Sequence, residues 1–488
     1  MKPSKMNVFG TKTIHLADTT EEVVVGGRDR FPLLGEAFKG VKQIGVLGWS
    51  SQGPAQAQNL RDSLEHLGIK VIVGLREGSK SFAKATEVGF TVDNGTAGEM
   101  LDVVRNSDLV LCLISDAAMT QEFENIQRAM KPGATLGLSH GFLLGHMKNI
   151  GAKFRSDINV VGVCPKGMGP SVRRLYEQGR DVNGAGINSS YAVEQDATGN
   201  ARNIALGWAI AIGSPYVFET TLEMEYRSDI FGERAILLGA VWGVAEAMNT
   251  HFITDKNMNH GEAFARSAMS ITGPISEAIS QDGLVEIGRR LSDNPAEEQE
   301  FYRTLHATYK AALPLVSEIY NEVKSGREIA RVVDQTAALE TYGWTKVDGS
   351  TMWRTGETAR KGNIEVPLEP KTAGAYLGIM MAQVDVLRKN GHGWSEICNE
   401  SIIEATDSLN PYIAARGIDY MIDNCSTTAR WGGRTWGPRF MQMVTGDVLP
   451  KADDAVPPDF KKWFLEHPVH DALAECMEFR PPVNISVQ

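Results

Sequence analysis

Residues 41–54, VKQIGVLGWSSQGP, run from a short apolar strand into a glycine-containing turn and then a helix. This order of strand, turn and helix places the pyrophosphate of a dinucleotide at a helix N-terminus. Aligned as G-x-G-x-x-G, the turn has Gly48 and Gly53 at its ends but Ser50 in the middle, where a side chain crowds the pyrophosphate. The stretch predicts a dinucleotide site, with an ordinary tight turn as the alternative.

The segments that follow continue the alternation of strands and helices. Strands are predicted at 41–47, 69–75, 108–114, 135–139 and 159–164, and helices at 54–67 and 118–130. Short apolar strands separated by helix-length segments are typical of a parallel sheet with helices on both faces. The predicted fold class for this part of the chain is therefore an α/β Rossmann domain with a doubly wound, mostly parallel sheet.

The end of the second strand indicates which dinucleotide is bound. An NAD enzyme usually has an acidic residue here for the ribose hydroxyls. This sequence has Arg76 instead, with Ser79 and Ser81 close behind it. An arginine with nearby hydroxyls suits a 2′-phosphate, because the guanidinium offers two parallel hydrogen bonds. NADPH is therefore favoured over NADH, and Glu77 is expected to face solvent.

Composition excludes several other classes of protein. The 488 residues carry 49 basic and 60 acidic side chains, a net charge of −11, so nucleic-acid binding is not expected. The most apolar stretch, 235–247, is too short to span a bilayer and is typical of a buried helix. Five widely spaced cysteines fit a reducing compartment and argue against a disulfide framework or a zinc site. The N-terminal residues lack the apolar core of a signal peptide. We expect a soluble, multidomain enzyme without membrane or nucleic-acid partners.

After about residue 200 the strand pattern gives way to helical periodicity. Helices are predicted at 198–212, 221–250, 259–279, 296–323, 372–389, 396–410 and 460–478. Glycine- and charge-rich stretches at 343–349 and 360–371 interrupt the series, and the second is interpreted as a linker. The predicted domains are 1–220, which binds NADPH, and two helical halves at 221–363 and 364–488.

Two of these helices each carry three carboxylates at i, i+4 spacing, which places them on one face. They are Glu225, Asp229 and Glu233 in the first helix, and Glu396, Glu400 and Glu404 in the second. The surroundings are apolar and no basic residue lies at i±3 or i±4 of the central carboxylates, so burial without a cation is unfavourable. All-oxygen sites suit Mg²⁺ or Mn²⁺, and the two sets together would hold two ions. The alternative is two solvated acidic faces.

Further candidates follow predicted strands or lie near the C-terminal helices. His140 follows one strand and Lys166 another, on the side where ligands bind in a doubly wound sheet. Both residue types orient substrates or move protons. The alternatives are a structural histidine and a surface-loop lysine. The hydroxyls of DNCSTTA, 423–429, suit a carboxylate ligand.

Five segments carry a resemblance to a known family. They are LGLSHGFLLGH from residue 136, VCPKGMGPSVRRLYEQG from 163, EYRSDIFGERAILLGAVWG from 225, NESIIEATDSLNPYIAARG from 399 and DNCSTTAR from 423. The chain resembles the ketol-acid reductoisomerases (acetohydroxyacid isomeroreductases) in their long, plant-type form. The resemblance extends from about Gly26 to the C-terminus, and its motifs are long and distinctive.

The resemblance implies a Rossmann NADPH domain followed by an all-α, knotted domain that is internally duplicated within one chain. It implies two Mg²⁺ ions on Asp229, Glu233, Glu400 and Glu404. It makes His140, Lys166 and Glu233 catalytic, and Ser426 and Glu400 substrate-binding. The predicted cofactor contacts are Gly45, Gly48, Ser50, Gln52, Gly53, Arg76, Ser79, Ser81 and Ser115. Ser50 departs from the family's usual glycine, and we expect it to weaken NADPH binding slightly.

The implied reaction is a magnesium-dependent alkyl migration in 2-acetolactate or 2-aceto-2-hydroxybutyrate, followed by hydride transfer from NADPH. Glu233, or a water relayed through Lys166, would remove the hydroxyl proton, and the residues leave both open. The resemblance implies a homodimer, located in the plastid stroma of a plant or alga and otherwise in the cytoplasm. The alternatives are a metal-independent NADP-dependent β-hydroxyacid dehydrogenase and a non-catalytic NADPH-binding sensor or scaffold.

Overall fold

The computed structural model describes residues 7–347, 349–362 and 364–481, and its N-terminal part is built on one ten-stranded sheet. The strands are β1 (Lys12–Leu16), β2 (Thr19–Val25), β3 (Gln43–Leu47), β4 (Lys70–Leu75), β5 (Ala97–Glu99), β6 (Leu109–Cys112), β7 (Thr135–Leu138), β8 (Asn159–Pro165), β9 (Ser189–Gln195) and β10 (Tyr216–Glu219). Their order across the sheet is β1-β2-β10-β9-β8-β7-β6-β3-β4-β5. All five predicted strands are present, with bounds shifted by at most two residues.

The sheet is mostly parallel, as predicted, but one side of it is mixed. Strands β3 to β8 pair in parallel, whereas β9 is antiparallel to β8 and β2 is antiparallel to β10 and β1. The expectation that strands end near residue 200 was wrong, because β10 returns to the sheet after the helix at 201–211. This last strand leads directly into the helical part of the chain and fixes where its first helix begins.

Helices cover both faces of the sheet. They are α1 (Leu34–Ala37), α2 (Gln52–Leu64), α3 (Ser81–Glu87), α4 (Met100–Asn106), α5 (Asp116–Ala129), α6 (Phe142–Ile150), α7 (Gly169–Gln178) and α8 (Ala201–Ala211). Apolar residues of α2 and α8 pack on one face, and those of α4, α5 and α6 pack on the other. The domain is therefore doubly wound, and the carboxyl ends of β3, β4, β6, β7 and β8 are left open for a ligand.

The rest of the chain is helical. Its α-helices are α9 (Leu222–Arg234), α10 (Gly239–Thr254), α11 (His260–Phe264), α12 (Ser276–Asp282), α13 (Glu286–Leu291), α14 (Pro295–Lys324), α15 (Arg327–Tyr342), α16 (Thr351–Ala359), α17 (Pro370–Lys389), α18 (Trp394–Cys398), α19 (Asn410–Arg416), α20 (Ile418–Asp423), α21 (Thr427–Met443), α22 (Pro458–Leu465) and α23 (Val469–Met477). Wider π-helical turns lie at Ala265–Met269, Ile271–Ile275, Asn399–Ile403, Ala405–Leu409 and Val444–Val448. One continuous apolar core holds these elements together.

The helix predicted at 221–250 is two helices, because the chain breaks after Arg234. Ala235 has φ −96° and ψ −117°, and the amide of Ile236 donates to Oε1 of Gln383 in α17, 3.0 Å away. A Cβ on Gly239 would lie 2.0 Å from the carbonyl oxygen of Arg234, so glycine is required where α10 starts. The break separates the carboxylate-bearing α9 from the apolar α10. The segment predicted at 460–478 is likewise two helices, α22 and α23.

The helical domain contains an internal duplication. The two π-helical turns at 265–275 and the seven-residue helix α12 recur at 399–409 and α19, with the same lengths and an offset of 134 residues. Each unit ends at a glycine with positive φ, Gly283 at 86° and Gly417 at 91°. We call 265–283 the first repeat and 399–417 the second repeat. Helix α10 packs on α21, and its counterpart α17 packs on α14, so the two halves interlock reciprocally.

The fold class is thus an α/β Rossmann-like domain joined to a duplicated helical domain. The knot implied for the helical part and the three domain boundaries stay predictions, and residue 363 lies outside the described residues. Residues 222–254 have the length and hydropathy of a membrane-spanning segment, but 72% of their most apolar window is buried inside the protein and the helix is broken. That burial is the behaviour of a core segment.

Candidate active site

A cavity of about 660 Å³ lies where the open ends of the strands face the helical domain. Its walls come from the turn after β3, the loops after β6, β7 and β8, helix α9, the second repeat and the start of α21. The predicted residues His140, Asp229, Glu233, Glu404 and Ser426 line it. A single cleft therefore brings residues 49–58 of the nucleotide turn together with groups more than 300 residues away.

The turn after β3 has the close packing expected of a dinucleotide site. Gly48 has φ +96°, and a Cβ there would lie 2.7 Å from the carbonyl oxygen of Leu113. A Cβ on Gly53 would lie 2.3 Å from the carbonyl oxygen of Gly48. Only glycine fits these two positions, because an L side chain would collide with backbone. Gln52 donates to the carbonyl oxygen of Gly167 at 2.8 Å, which ties the turn to the loop after β8.

Most of the predicted cofactor residues surround a second cavity of about 180 Å³ beside the turn. Its lining includes Gly48, Ser50, Arg76, Ser79, Ser81 and Ser115. Ser50 and Arg76 are exposed, and Glu77 is also exposed, as expected. Gln52 lines the larger cavity. Gly45 lines neither of the two cavities; a Cβ there would lie 2.6 Å from Oγ of Ser107, so this glycine allows a helix to pack against β3.

The carboxylates of α9 and the second repeat converge behind the larger cavity. One oxygen each of Asp229, Glu400 and Glu404 lie within 4.8 Å of one another. Glu233 follows one turn after Asp229 and faces the same cavity. Among the described residues, Oε2 of Glu400 and Oε2 of Glu404 are buried without a hydrogen-bond partner. Buried carboxylate oxygens without partners are unfavourable, so this cluster could hold a metal ion.

Burial and neighbouring carboxylates raise the pKa values of the clustered glutamates. Burial, and after it the neighbouring Asp229, raise the pKa of Glu233 to about 8 against the effect of Arg234. Burial also raises the pKa of Glu400 to about 8. The pKa of Glu404 is raised well above its usual value, first by burial and then by Glu400. Such carboxylates bind a divalent ion only as they lose their protons.

Lys166 lies inside the cluster and not on the surface. Its ammonium is 1% exposed, lies 3.4 Å from Oε1 of Glu225 and forms an ion pair with Glu400. Burial alone would lower the pKa of Lys166, but Glu400 and Glu225 outweigh burial and hold it well above its usual value. The lysine is therefore a fixed positive charge between α9 and the second repeat. A surface-loop lysine, the alternative considered from the sequence, is excluded by this burial.

His140 is a second cation beside the carboxylates. Its Nδ1 lies 3.1 Å from Oδ2 of Asp229 and 3.3 Å from Oε2 of Glu225. Burial would lower the pKa of His140, but Asp229 and Glu225 raise it well above its usual value. Glu225 also accepts a 2.6 Å hydrogen bond from the amide of Gly141, and its pKa falls to about 2 because Lys166 and His140 outweigh the effect of burial.

Glu396, the third carboxylate of the second helix, has a different setting. Its Oε1 accepts from the hydroxyls of Ser228, at 3.0 Å, and Thr220, at 3.2 Å. Its Oε2 lies 2.9 Å from Nδ1 of the fully buried His392. Glu396 thus joins α18, which precedes the second repeat, to α9, and it is fully occupied with neutral donors and a histidine.

Ser426 begins helix α21 at the cavity wall. Its Oγ accepts from the amide of Ala429 at 2.9 Å and donates to Oε1 of Glu233 at 3.1 Å. Two residues later, Thr428 donates to Asp116 at the start of α5, which follows Ser115. The start of a 17-residue helix favours an anion through its free N–H groups and dipole. Ser426 therefore suits contact with a carboxylate ligand.

The sequence did not identify Arg234 as part of the site, nor how Glu225, Lys166 and His140 pair with one another. Arg234 donates to Oε2 of Glu233 at 2.8 Å, and Glu225 holds both Lys166 and His140. The compensating charges do not lie at i±3 or i±4 on the same helix, where helical spacing would place them. Arg234 is the next residue in the chain, and Lys166 comes from a strand end in the other domain. Only the neighbouring arginine left a signal in the sequence.

These residues fit the predicted cofactors. The converging carboxylates form a hard, all-oxygen donor set with unpartnered atoms, which matches Mg²⁺ or Mn²⁺. The smaller cavity is lined by residues of the glycine turn together with Arg76, Ser79 and Ser81. The glycine turn matches the pyrophosphate of a dinucleotide, and an arginine with nearby hydroxyls matches a 2′-phosphate.

Comparisons with known proteins agree with this arrangement. Residues 38–216 match the family profile described as "Acetohydroxy acid isomeroreductase, NADPH-binding domain". Residues 222–363 and 371–467 match "Ketol-acid reductoisomerase, C-terminal domain". The chain is 49% identical to the chloroplastic ketol-acid reductoisomerases of Spinacia oleracea and Pisum sativum. In both cases 99% of the chain is aligned, covering 82% and 84% of those proteins.

A solved structure gives the same fold. The structure of an NADH-preferring ketol-acid reductoisomerase from an uncultured archean matches with a TM-score of 0.54 and 23% sequence identity. The match covers 66% of this chain and 95% of that one. The Rossmann-like domain and the helical domain are therefore a known combination.

Proposed function

Because the chain belongs to the ketol-acid reductoisomerase family, we propose that it is the magnesium- and NADPH-dependent enzyme of this type. It converts 2-acetolactate to 2,3-dihydroxyisovalerate and 2-aceto-2-hydroxybutyrate to 2,3-dihydroxy-3-methylvalerate, in the synthesis of valine and isoleucine. The observation that carries this proposal is the convergence of Asp229, Glu400 and Glu404, from two separate helices, beside the nucleotide turn.

Asp229, Glu233, Glu400 and Glu404 would hold two Mg²⁺ ions. Bound Mg²⁺ supplies Lewis-acid polarisation of the hydroxyl and carbonyl oxygens of the substrate. The family resemblance supports this ligand set, and the unpartnered oxygens of Glu400 and Glu404 give it a physical reason. We assign no ligand role to Glu396 or Glu225, since both are already occupied by Ser228, His392, Lys166 and His140.

The substrate is positioned by the cavity wall. The free amides at the start of α21, next to Ser426, bind its carboxylate, with the helix dipole favouring the negative charge, while the hydroxyl of Ser426 donates to Glu233. His140 and Lys166 add two fixed positive charges on the opposite side, held in place by Glu225. These cations would balance the charges of the anionic substrate and the acidic cluster.

Glu233 is the proton acceptor that the geometry favours. It is a carboxylate on the wall of the cavity that would hold the substrate, and a carboxylate in that position can act as a general base. Lys166 is held in its charged form by Glu400 and Glu225 and has no lone pair to accept a proton. We therefore assign removal of the hydroxyl proton to Glu233 and a charge-stabilising role to Lys166.

NADPH is the cofactor that the pocket chemistry supports. The cofactor supplies the hydride that reduces the rearranged 2-keto acid. Arg76, Ser79 and Ser81 line one cavity with the glycine turn, and a guanidinium with hydroxyls matches a 2′-phosphate. The profile matched by this domain is described as NADPH-binding, whereas a 32%-identical relative from Desulfosudis oleivorans is named as using NAD⁺. The exposed Glu77 is the residue that would favour NADH.

The proposed partners are the acetohydroxy acids, the cofactor and a second copy of the chain. The homodimer comes from the family resemblance alone and stays a prediction. The relatives from spinach and pea are named chloroplastic, which supports a plastid location for this chain.

The test is NADPH oxidation with 2-acetolactate, measured by absorbance with and without Mg²⁺. The proposal expects oxidation that requires both 2-acetolactate and Mg²⁺, with NADH a poorer cofactor. Oxidation that is independent of magnesium, with simple 3-hydroxy or 2-keto acids, would identify a β-hydroxyacid dehydrogenase. NADPH binding without any turnover would identify a sensor or scaffold.

A further inference from the structure

A fully buried arginine lies directly behind the acidic cluster. Arg234 is the last residue of α9, and its side chain is 0% exposed. Its Nη1 donates to Oε2 of Glu233 at 2.8 Å, and its Nε donates to Oε1 of Glu328 at 2.8 Å. Glu328, on α15, is also 0% exposed. One guanidinium therefore joins two carboxylates, one in the cavity wall and one outside it.

The surrounding elements are shaped to hold this pair. The indole of Trp436 in α21 donates to the same Oε1 of Glu328 at 3.1 Å. A Cβ on Gly432, also in α21, would lie 2.7 Å from the guanidinium carbon of Arg234, so the glycine makes room for it. Burying two charges is unfavourable unless their geometry is good and their remaining atoms are bonded. Helices α9, α15 and α21 supply the bonds of Nε and Nη1 of Arg234 and of Oε1 of Glu328, whereas Nη2 of Arg234 has no hydrogen-bond partner among the described residues.

The consequence for Glu233 is a fixed orientation. Its Oε2 is held by Arg234, while its Oε1 accepts from Ser426 and faces the cavity. Two contacts from different elements leave the carboxylate little rotational freedom. Lys166 is a second buried cation, and it pairs with Glu400 and Glu225. Buried cations thus contact carboxylates of both α9 and the second repeat.

We propose that Arg234 and Glu328 are positioning residues for the proposed magnesium site: Arg234 fixes the orientation of the Glu233 carboxylate at the cavity, and Glu328 holds the guanidinium of Arg234 in place from the other side. This inference rests on the proposed function. Only a guanidinium can take this role, because its Nε and Nη1 bond two carboxylates at once, whereas a lysine ammonium acts as a point charge. Neighbours that orient metal ligands typically change metal affinity by about 10–100-fold when they are removed.

The experiment is a titration of the full-length protein with Mn²⁺ alone, followed by electron paramagnetic resonance of the free ion. Arg234→Gln is expected to raise the Kd for Mn²⁺ at least about tenfold. Arg234→Lys is expected to recover only part of this loss. Glu328→Gln is expected to raise the Kd several-fold, because a neutral amide holds the guanidinium of Arg234 less firmly than a carboxylate does. NADPH affinity is expected to stay within about twofold in every folded variant, which a general structural defect would not spare.

Arg331→Gln is the matched control. Arg331 lies 3.4 Å from Oε2 of Glu328 on the solvent side, pairs with Glu322 and is not among the residues that bond Glu233. Its loss is expected to leave the Kd for Mn²⁺ unchanged. If Arg234→Gln does not fold, Glu328→Gln decides the question. An Mn²⁺ affinity equal to that of the wild type in either variant would overturn the inference. A Kd for Mn²⁺ that is fully restored in Arg234→Lys would overturn the requirement for a guanidinium that bonds two carboxylates at once. A wild-type protein that binds no Mn²⁺ would overturn the proposed function itself.

Discussion

The two repeats of the helical domain have the same backbone and different chemistry. Each has two π-helical turns of five residues around a single residue, then a seven-residue helix, then a glycine with positive φ. Where the second repeat has Glu400 and Glu404, the first has Arg266 and Ser270. The first repeat also has a kink at Gly273, before Pro274, that the second lacks.

Another segment of the chain covers Ser270 of the first repeat, whereas Glu404, at the same position of the second repeat, lines the larger cavity. Oγ of Ser270 donates to the carbonyl oxygen of Pro367 at 2.8 Å and accepts from the amide of Glu369 at 3.0 Å. The segment that the sequence predicts to be a linker therefore covers the position that the cavity occupies in the second repeat. The two repeats share one backbone arrangement, whereas the proposed metal site depends on two side chains and on what lies against them.

The largest effect is expected from giving the second repeat the residue of the first. Glu404→Ser, like Asp229→Asn or Glu400→Gln, is expected to slow isomerisation of 2-acetolactate by about 10³-fold, or about 4 kcal/mol of transition-state stabilisation. NADPH affinity should change little, because the nucleotide turn lies in the other domain. Steady-state kinetics and a fluorescence titration of NADPH measure the two effects separately.

The matched control for this prediction is Ser270→Ala in the first repeat. It should leave turnover within about twofold and lower the free energy of unfolding by about 1–2 kcal/mol, because it removes both hydrogen bonds to 367–369. An equal loss of turnover in Ser270→Ala and Glu404→Ser would break the distinction between the repeats.

The next effect concerns Glu396 and its counterpart Glu262, at the same position before each repeat. Glu396 is buried and bonds Ser228, Thr220 and His392, whereas Glu262 is exposed and lies 3.6 Å from Arg266. Glu396→Gln is expected to lower the free energy of unfolding by about 2–3 kcal/mol, since a buried carboxylate network is disrupted. Glu262→Gln is expected to cost less than about 0.5 kcal/mol. Urea denaturation measures the free energy of unfolding of both variants. Equal losses in Glu396→Gln and Glu262→Gln would show that the packing of the two helices does not differ.

A pH-dependent effect of magnesium is expected from the second repeat and α9. Burial raises the pKa of Glu233 and Glu400 to about 8 from the usual 4.5. The folded, metal-free protein therefore binds more protons than the unfolded chain between these pH values, and the stability contributed by these groups falls as pH rises through this range. Mg²⁺ binds the deprotonated form, so its stabilising effect grows over the same range.

The expected result is that Mg²⁺ raises Tm by a few degrees more at about pH 8.5 than at about pH 6. Differential scanning fluorimetry measures the difference. Ser270→Ala should keep this pH dependence and Glu404→Ser should lose most of it. A Mg²⁺ effect that is the same at both pH values would contradict the assignment of these carboxylates.

The smallest effect is expected in the nucleotide turn, outside the repeats. Ser50→Gly should lower the Kd for NADPH by about two- to fivefold, or less than about 1 kcal/mol, because the exposed side chain crowds the pyrophosphate without blocking it. Isothermal titration with NADPH measures the change. An unchanged or higher Kd would remove the crowding explanation.

Much of the fold was predictable because its signals are local. Strands β3, β4, β6, β7 and β8 are short apolar runs between turn residues, and helices α2, α14 and α17 have clear helical periodicity. The break at 235–238 was not predictable, because Ala-Ile-Leu-Leu favours a helix and Gln383 of a distant helix holds the break open. Helix α21 was missed because it contains glycines, which in the structure make room for Arg234 and Trp242.

The candidate site was predictable in its residue types and not in its pairing. Carboxylates at i, i+4 spacing, a glycine turn and an arginine after β4 are visible in the sequence. The ion pair of Lys166 with Glu400 joins residues from two domains, and its existence depends on the docking of those domains. The same holds for the bond from Thr428 to Asp116. Such contacts follow from tertiary packing, which no local pattern encodes.

The most direct test of the account is an anomalous difference map from crystals of the protein grown with Mn²⁺. The account predicts two peaks per chain, both among Asp229, Glu233, Glu400 and Glu404, and none at Arg266 or Ser270 of the first repeat. Peaks bound by Glu396, a peak in the first repeat, or no peak among these four carboxylates would contradict it.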